Sequence, residues 1–207
     1  ARIAMGERKY VEATEHFSRS LAIQPDDAIA HNRLGNALWE TGQQDRAVKS
    51  VRRALELRSA FPEAHGNLGR FLVGQGDVDE GIVHLRKAVE LRADFEVAHQ
   101  FLADTYLKRN EVEQAAHHYG HAIRINQANA SAHFGLAQIR GSQGRQDEAI
   151  DHFRLAISAN PKFTAAHQNL GNLLQSQGKQ VEALKHYRRG LELRPDSVAL
   201  MNNVAWI

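Results

Sequence analysis

Apolar and small residues recur along this chain at a fixed interval of 34 positions. The clearest column is a leucine followed by a small residue, found at Leu34-Gly35, Leu68-Gly69, Leu102-Ala103, Leu136-Ala137 and Leu170-Gly171. With residue 28 as position 1, the chain divides into full repeats at 28–61, 62–95, 96–129, 130–163 and 164–197, with partial repeats at 1–27 and 198–207. A period of about 20 to 50 residues is typical of a domain that stacks one structural unit many times.

The second half of each repeat has the pattern of a helix with one packing face. Small residues occupy positions 20 and 27 and a bulky residue occupies position 24, as in Gly81, Leu85 and Ala88. Because residues three and four apart share one face of a helix, the large side chain lies between two small ones. We expect a neighbouring helix to approach closely at this face.

A turn signal separates this helix from an earlier one in the same repeat. Position 15 holds residues that tolerate left-handed backbone geometry: Gly42, Gly76, Asn110, Gly144 and Gly178. Position 18 is acidic and is expected to lie at the start of the second helix, where it can cap the helix and complement its dipole: Asp45, Asp79, Glu113 and Asp147. The second helix is expected to end at Pro25, Pro161 and Pro195, and with the help of Asp94 and Asn129 where proline is absent.

These columns of large and small residues resemble the tetratricopeptide repeat (TPR) family, whose unit is 34 residues long. The resemblance extends over the whole chain and implies an all-α fold, a right-handed superhelical solenoid of antiparallel helix pairs. In that fold the first helix of each pair lines a concave groove. One column departs from the family, because position 4, where the family often has Trp, holds histidine: His31, His65, His99, His133 and His167.

Charge and composition exclude several classes of function. The chain has 26 Lys plus Arg against 24 Asp plus Glu, a net charge of +2, which does not suit a protein held by many phosphate contacts. We therefore expect no nucleic-acid partner. No apolar run approaches the roughly 20 residues that span a bilayer, and no signal peptide is evident, so we expect no membrane partner. Since the sequence begins at Ala1, we expect it to be a soluble piece of a longer protein.

The histidines form a second column besides position 4. Position 23 holds histidine in all but one repeat: His16, His84, His118, His152 and His186, with Ser50 in the remaining place. Stacked helices lie about 8–10 Å apart, too far for metal bonds of about 2 Å to join one repeat to the next. We expect half-buried, hydrogen-bonded histidines and no metal site, even at His117, His118 and His121.

A basic column lies on the second helices at position 25: Arg52, Arg86, Arg154 and Arg188. Three of these arginines have a glutamate four residues later, which predicts the pairs Arg52–Glu56, Arg86–Glu90 and Arg188–Glu192. Because such pairs cancel much of the positive field, we interpret the column as a solvated outer face. Binding of an anionic partner there is the alternative.

The resemblance places the binding groove at positions 2, 5, 6, 9, 12 and 13 of the first helices, which are rich in amides. The predicted groove residues are Asn32, Asn36, Trp39, Asn67, Arg70, Gln100, Phe101, Asp104, Lys108, Phe134, Gln138, Gln168, Asn169, Asn172 and Gln175. Amides can donate to and accept from the backbone of an extended peptide, and aromatic rings can take its apolar side chains. We expect Asn169 and Asn172 to point away from the packing columns.

Two groove types known in the family fit only in part. A clamp for a chaperone's terminal carboxylate would match Asn36 and Asn67 but not Asn32, Val97 or Phe101, so it is not expected. The asparagine ladder of O-GlcNAc transferase is matched at position 6 by Asn67, Asn169 and Asn203 and is replaced elsewhere by Arg33, Phe101 and Gly135.

The sequence therefore predicts a protein-interaction scaffold that binds a peptide or partner segment in its groove. No phosphate-binding or hydrolase motif is present, so we expect neither catalysis nor a cofactor. One alternative is the substrate-selecting arm of a larger enzyme such as an O-GlcNAc-type glycosyltransferase. Another is a self-assembling module, a homo-oligomer formed through uncapped ends, since Ala1 and Ile207 are expected to lie within helices.

Overall fold

A computed structural model describes the backbone of residues 2–206 and the side chains of residues 9–206. Over these residues the chain is all-α, with twelve helices and no strand. The helices are α1 (Arg2–Ile23), α2 (Ala28–Glu40), α3 (Gln44–Leu57), α4 (Pro62–Gln75), α5 (Val78–Leu91), α6 (Glu96–Lys108), α7 (Val112–Ile125), α8 (Ala130–Ser142), α9 (Gln146–Ala159), α10 (Thr164–Ser176), α11 (Gln180–Leu193) and α12 (Val198–Ala205). Ala1 and Ile207, which we expected within helices, lie outside the described residues.

The helices form two compact units, residues 1–105 and residues 106–207, with the division inside α6. In the N-terminal unit, α1 to α5 each pack against the next helix in sequence. In the C-terminal unit, α7 to α12 likewise each pack against the next helix in sequence. Each unit is thus a stack of helix pairs, and the all-α solenoid predicted from the repeat is confirmed.

The core of each unit is built from the repeating columns. In the N-terminal unit, Ala47, Val51 and Ala54 of α3 are fully buried against Leu68 and Phe71 of α4. In the C-terminal unit, the corresponding column of α11 is Ala183, Tyr187 and Gly190, which is also buried. The alternation of small and large residues predicted at positions 20, 24 and 27 is therefore the packing face.

The two helices of a repeat come closest where glycine stands at position 8. A Cβ atom built on Gly69 would lie 2.7 Å from the carbonyl oxygen of Gly81, and one built on Gly81 would lie 2.9 Å from the carbonyl oxygen of Gly69. Gly171 faces the ring of Tyr187 in the same way, with a built Cβ 2.5 Å from the nearest ring carbon. The small residues thus allow one helix backbone to touch the other helix.

The turns within the repeats have the predicted left-handed geometry. All of the position 15 residues have positive φ: Gly42 at 79°, Gly76 at 101°, Asn110 at 59°, Gly144 at 76° and Gly178 at 75°. Asn110 is the single non-glycine residue with positive φ among the described residues. The prediction that asparagine substitutes for glycine at this turn is confirmed.

The predicted capping of the second helices is wrong. Asp45 and Asp79 lie inside the first turn of their helices, while the N-cap residues Gln43 and Asp77 make no side-chain cap hydrogen bond. The expected placement of acidic residues in the first turn, at the positive end of the helix dipole, is confirmed for each of the second helices α3, α5, α7 and α9. Side-chain capping occurs instead on first helices, where Asp27 Oδ1 accepts from the backbone N–H groups of Ile29 and Ala30.

The expected role of Asn129 is also corrected. Helix α7 already ends at Ile125, and Asn129 Oδ1 accepts from the backbone N–H of Ala132 at 2.8 Å. Asn129 therefore begins α8 rather than ending α7. An asparagine favours an N-cap because its short side chain reaches the orphan N–H groups of the first turn.

The close approach at position 8 predicts opposite outcomes for two glycine substitutions. Gly69→Ala should destabilise the chain by about 1–3 kcal/mol, because the new methyl group meets a backbone carbonyl that cannot rotate away. Gly120→Ala, within α7, should stabilise it by up to about 1 kcal/mol through helix propensity. A Cβ at Gly120 would meet only the guanidinium of Arg124, at 3.7 Å. Urea denaturation followed by circular dichroism measures both changes; equal shifts would contradict this packing.

Candidate functional site

A cavity of about 360 Å³ opens between the two first helices α8 and α10 of the C-terminal unit. We call it the α8–α10 cavity. Its lining comes from α8, α9 and α10: Ala137, Gln138, Gly141, Ser142, Phe153, Asn169, Asn172, Leu173 and Ser176. Three of the predicted groove residues, Gln138, Asn169 and Asn172, are brought together here.

The floor of the α8–α10 cavity is apolar and its rim is polar. Ala137 and Phe153 belong to the buried core and are 0% and 4% exposed. Leu173 is partly buried and packs against the same core. The rim carries amides and hydroxyls, which hydrogen-bond without carrying charge. Such a cavity can receive an apolar side chain while the amides bond to the backbone that carries it.

Asn172 also belongs to a hydrogen-bonded cluster with the core residue Tyr187. The Tyr187 hydroxyl lies 2.8 Å from both Asn172 Oδ1 and Gln175 Oε1, and Asn203 Nδ2 donates to Asn172 Oδ1 at 2.9 Å. The Tyr187 hydroxyl directs its one proton toward these two amide oxygens, and Asn172 Oδ1 accepts from both Tyr187 and Asn203.

This cluster corrects the expectation that Asn172 points away from the packing columns. Its oxygen satisfies Tyr187, whose ring is fully buried and whose pKa is raised by burial. Removing the Asn172 side chain would leave the Tyr187 hydroxyl with one amide partner fewer. Asn169 lines the cavity without taking part in this cluster, so it is the cleaner probe of binding.

In the N-terminal unit, the predicted groove residues bond mainly to one another. Asn67 Nδ2 donates to Asn32 Oδ1 at 2.9 Å, joining α4 to α2. Arg70 donates to Asn36 Oδ1 at 2.8 Å and to Glu40 at 3.3 Å. These bonds cross from one repeat to the next, so the amides and Arg70 tie first helices together. A cavity of about 200 Å³ beside Asn32, Asn36 and Asn67 is lined on its other side by α1.

The three aromatic residues predicted as anchors all make packing contacts within their units. Trp39 stacks on Phe71 with ring centroids 4.4 Å apart and an interplanar angle of 7°. The Phe101 ring lies 5.8 Å from the Arg70 guanidinium carbon. Phe134 contacts Phe163, with centroids 4.7 Å apart. Each ring is partly buried, so its contribution to partner binding is limited to its open edge.

The other predicted groove residues are not among those that line the α8–α10 cavity. Gln100 and Asp104 are partly buried on α6, Lys108 is exposed near the end of α6, and Gln168 is partly buried on α10. Sequence reasoning missed Ser142 and Ser176, which line the cavity. Both occupy position 13, one of the six groove positions, so applying the position rule to small polar residues would have found them.

The predicted i to i+4 ion pairs on the outer face are wrong. The three glutamates instead pair with the cation three residues earlier: Arg53–Glu56 at 3.0 Å, Lys87–Glu90 at 2.7 Å and Arg189–Glu192 at 2.6 Å. Two position 25 arginines reach the next second helix, in Arg52–Glu80 at 2.7 Å and Arg154–Glu182 at 3.5 Å. The interpretation of a solvated, largely compensated face is kept, because these side chains are about half exposed.

The histidines of positions 4 and 23 are hydrogen-bonded and partly or fully buried at His65, His133 and His167, as expected. On α7, the rings of His117 and His121 lie 4.6 Å apart at an angle of 65°. Among the described residues, no group of three or more His, Cys, Asp or Glu side chains is arranged to hold a metal ion.

Comparison with known proteins identifies the repeat. Two family models of the tetratricopeptide repeat match the chain, one at residues 1–60, 33–94 and 102–162 and the other at residues 164–197. No curated protein sequence matches it significantly. None of the helices described is long and apolar enough to cross a membrane.

Several solved structures share the fold. YrrB, described as a TPR protein with an unusual peptide-binding site, has a TM-score of 0.71 and 21% identity, covering 91% of this chain and 97% of its own. MamA has a TM-score of 0.69 and 26% identity, covering 78% of this chain and 95% of its own. PilF of Pseudomonas aeruginosa has a TM-score of 0.84 and 18% identity, with full coverage of both chains.

The arrangement of the α7 histidines generates a prediction about metals. Zinc at nanomolar free concentration should neither saturate a site nor raise the melting temperature, because two ring nitrogens one helical turn apart supply half of a tetrahedral set. Isothermal titration calorimetry and thermal melts with and without zinc check this. One tight site that disappears in His121→Ala would contradict it.

Proposed function

Because the chain belongs to the tetratricopeptide repeat family, we propose that it is a protein-interaction scaffold that holds an extended segment of a partner protein on the α8–α10 cavity. TPR proteins are in general non-enzymatic scaffolds, and we infer the same for this chain. The observation that carries the proposal is the combination of an apolar floor with an uncharged amide rim between two first helices.

The shape of the α8–α10 cavity supports a peptide as the ligand. Its volume of about 360 Å³ lies near the lower end of the range for ligand pockets, about 300–1,000 Å³. An extended chain would place one apolar side chain on Phe153 and Leu173. The backbone on either side of that side chain would then pass Gln138 and Asn169, whose amides can both donate to it and accept from it.

The lack of charge at the α8–α10 cavity favours a partner segment without charged side chains. None of the described residues that line it is Asp, Glu, Lys or Arg. A charged side chain in the partner would lose hydration there without gaining an opposite charge. We therefore propose a partner segment with an aliphatic or aromatic side chain flanked by uncharged residues.

The structural neighbours agree with this assignment at the level of the fold. YrrB is described as binding a peptide at an unusual site, so the same fold accommodates peptide binding outside a single fixed location. For this chain the location is inferred from its own side chains. In the N-terminal unit, the hydrogen bonds from Asn67 to Asn32 and from Arg70 to Asn36 leave fewer groups available for a partner.

Phage display of random peptides on the immobilised chain tests this proposal, and the enriched peptides then serve as ligands for affinity measurements. Enriched peptides should contain a central apolar residue, and fluorescence anisotropy should give affinities that change less than about threefold between 50 and 500 mM salt, because few charges meet. Gln138→Ala with Asn169→Ala should weaken binding at least about tenfold, and Ser142→Trp should abolish it by filling the cavity.

The matched control for these variants is Arg52→Ala with Arg188→Ala on the second helices. These changes should leave peptide affinity within about twofold of the original. If the arginine variant loses binding, binding is strongly salt-dependent and the amide variant binds normally, then the outer face is the working surface and the proposal is wrong.

A further inference from the structure

In the repeats at 62–95, 130–163 and 164–197, the structure describes a pair of histidines that meet through their Nδ1 atoms. The Nδ1 atoms of His65 and His84 are 2.9 Å apart, and the same contact is 3.0 Å between His133 and His152 and 3.1 Å between His167 and His186. The two members of each pair come from position 4 of the first helix and position 23 of the second helix. The 34-residue interval alone does not show that the two histidine columns meet within a repeat.

The position 4 histidine of each pair also bonds to the loop that precedes its helix. His65 Nε2 lies 3.0 Å from the carbonyl oxygen of Ser59, and His167 Nε2 lies 3.2 Å from that of Pro161. His133 makes the same contact with Gln127 at 3.1 Å. One ring therefore connects three elements: the loop from the preceding repeat, the first helix and the second helix.

Hydrogen-bonding chemistry fixes the tautomers of both rings. A carbonyl oxygen can only accept, so Nε2 of His65 must carry a hydrogen, and in the neutral ring Nδ1 is then an acceptor. The Nδ1 of His84 must therefore donate, which leaves the lone pair of the neutral ring on His84 Nε2, 3.7 Å from Glu80 Oε1. The same assignment holds for the pairs at His133 and His167.

The tautomers limit how many protons a pair can hold. A first proton can bind to Nε2 of the position 23 histidine without breaking either hydrogen bond. A second proton can bind only to Nδ1 of the position 4 histidine, which would place two N–H groups against each other about 3 Å apart. It would also place two positive rings with centroids 5.1 to 5.4 Å apart.

We propose that the three histidine pairs are proton-sensitive contacts that hold the two helices of a repeat together at neutral pH and separate when a pair takes its second proton. Acidification would thus loosen the packing between the two helices of each of these repeats. The proposal is independent of the proposed function, although α8 and α10, which form the α8–α10 cavity, each contain one histidine of a pair, His133 and His167.

The surroundings of the pairs favour the neutral rings. Burial lowers the pKa of His65, His84, His152, His167 and His186, and the partner ring lowers the pKa of the position 23 members further. Charged groups of both signs face each pair: Lys87, Glu90, Glu80 and Arg52 around the first, Arg140, Glu148 and Asp151 around the second, and Arg189, Arg154 and Glu182 around the third.

The sign of the pH dependence follows from these lowered pKa values. In the unfolded chain these histidines have the ordinary pKa of 6.5, so below that pH the unfolded chain binds more protons than the folded chain does. Stability contributed by the pairs is therefore fully present above about pH 6.5, and it is lost as the pH falls from there through the lower folded-state pKa.

The repeat at 28–61 has no histidine pair, because serine stands at position 23. His31 bonds to the Pro25 carbonyl oxygen at 2.9 Å, as in the other repeats. Position 23 there is Ser50, whose hydroxyl donates to the His31 backbone carbonyl at 2.9 Å. Serine is thus a replacement that the chain itself uses at this position, which makes it a suitable test substitution.

The first test is to read the tautomers in the unaltered chain by long-range ¹⁵N NMR of the imidazole rings at pH 7.5. We expect the Nε2–H form at His65, His133 and His167 and the Nδ1–H form at His84, His152 and His186. Position 23 histidines in the common Nε2–H form would mean that the pairs do not exist, and the proposal would fail without any variant being made.

The second test compares melting temperatures at pH 7.5 and pH 5.0 for the original chain and for the combined change His84→Ser, His152→Ser and His186→Ser. The original chain should lose at least about 4 °C more than the serine variant on acidification. The control His117→Ser alters an exposed histidine outside the pairs and should keep the full acid response. An equal loss in the original and triple-serine chains would overturn the proposal.

Discussion

The structure depends on the close contact between the two helices of each repeat. At Gly69 and Gly81 the contact involves backbone atoms of both helices, so no side chain separates them. This distance requires small residues at positions 8, 20 and 27, and it leaves position 24 as the place for the one large side chain that fills the remaining space. The pattern of small and large residues therefore recurs every 34 residues because the same packing contact is repeated along the chain.

The same contact determines where polar chemistry can lie. Positions 7 and 8 of the first helix pack against positions 20, 24 and 27 of the second helix. The first helix then has one face available to partners and one edge beside its own second helix. Position 9 lies on the free face and gives Gln138 and Asn172 at the cavity rim. Position 4 lies at the edge, where His133 meets His152 across the pair of helices. Both the proposed binding surface and the histidine pairs thus follow from the packing.

The sequence alone was sufficient to predict the fold and the left-handed turns within the repeats, because both depend on residues that act locally or recur at a fixed period. Asn110 shows this: its place at position 15 predicted the left-handed turn, and its φ of 59° agrees. The site was predictable only in part. Position rules placed Gln138 and Asn169 on the groove face, but they could not show that Asn172 also satisfies Tyr187. That bond depends on the distance between two helices, which the sequence does not state.

The central claim is that a partner segment lies on the α8–α10 cavity, and methyl NMR during a peptide titration tests it most directly. The account predicts that the methyl signals of Ala137 and Leu173 shift in proportion to the bound fraction. The exposed methyl groups of Leu155 on α9 should stay unchanged. Shifts confined to Leu155 and other residues of the second helices, with Ala137 and Leu173 unaffected, would contradict the account.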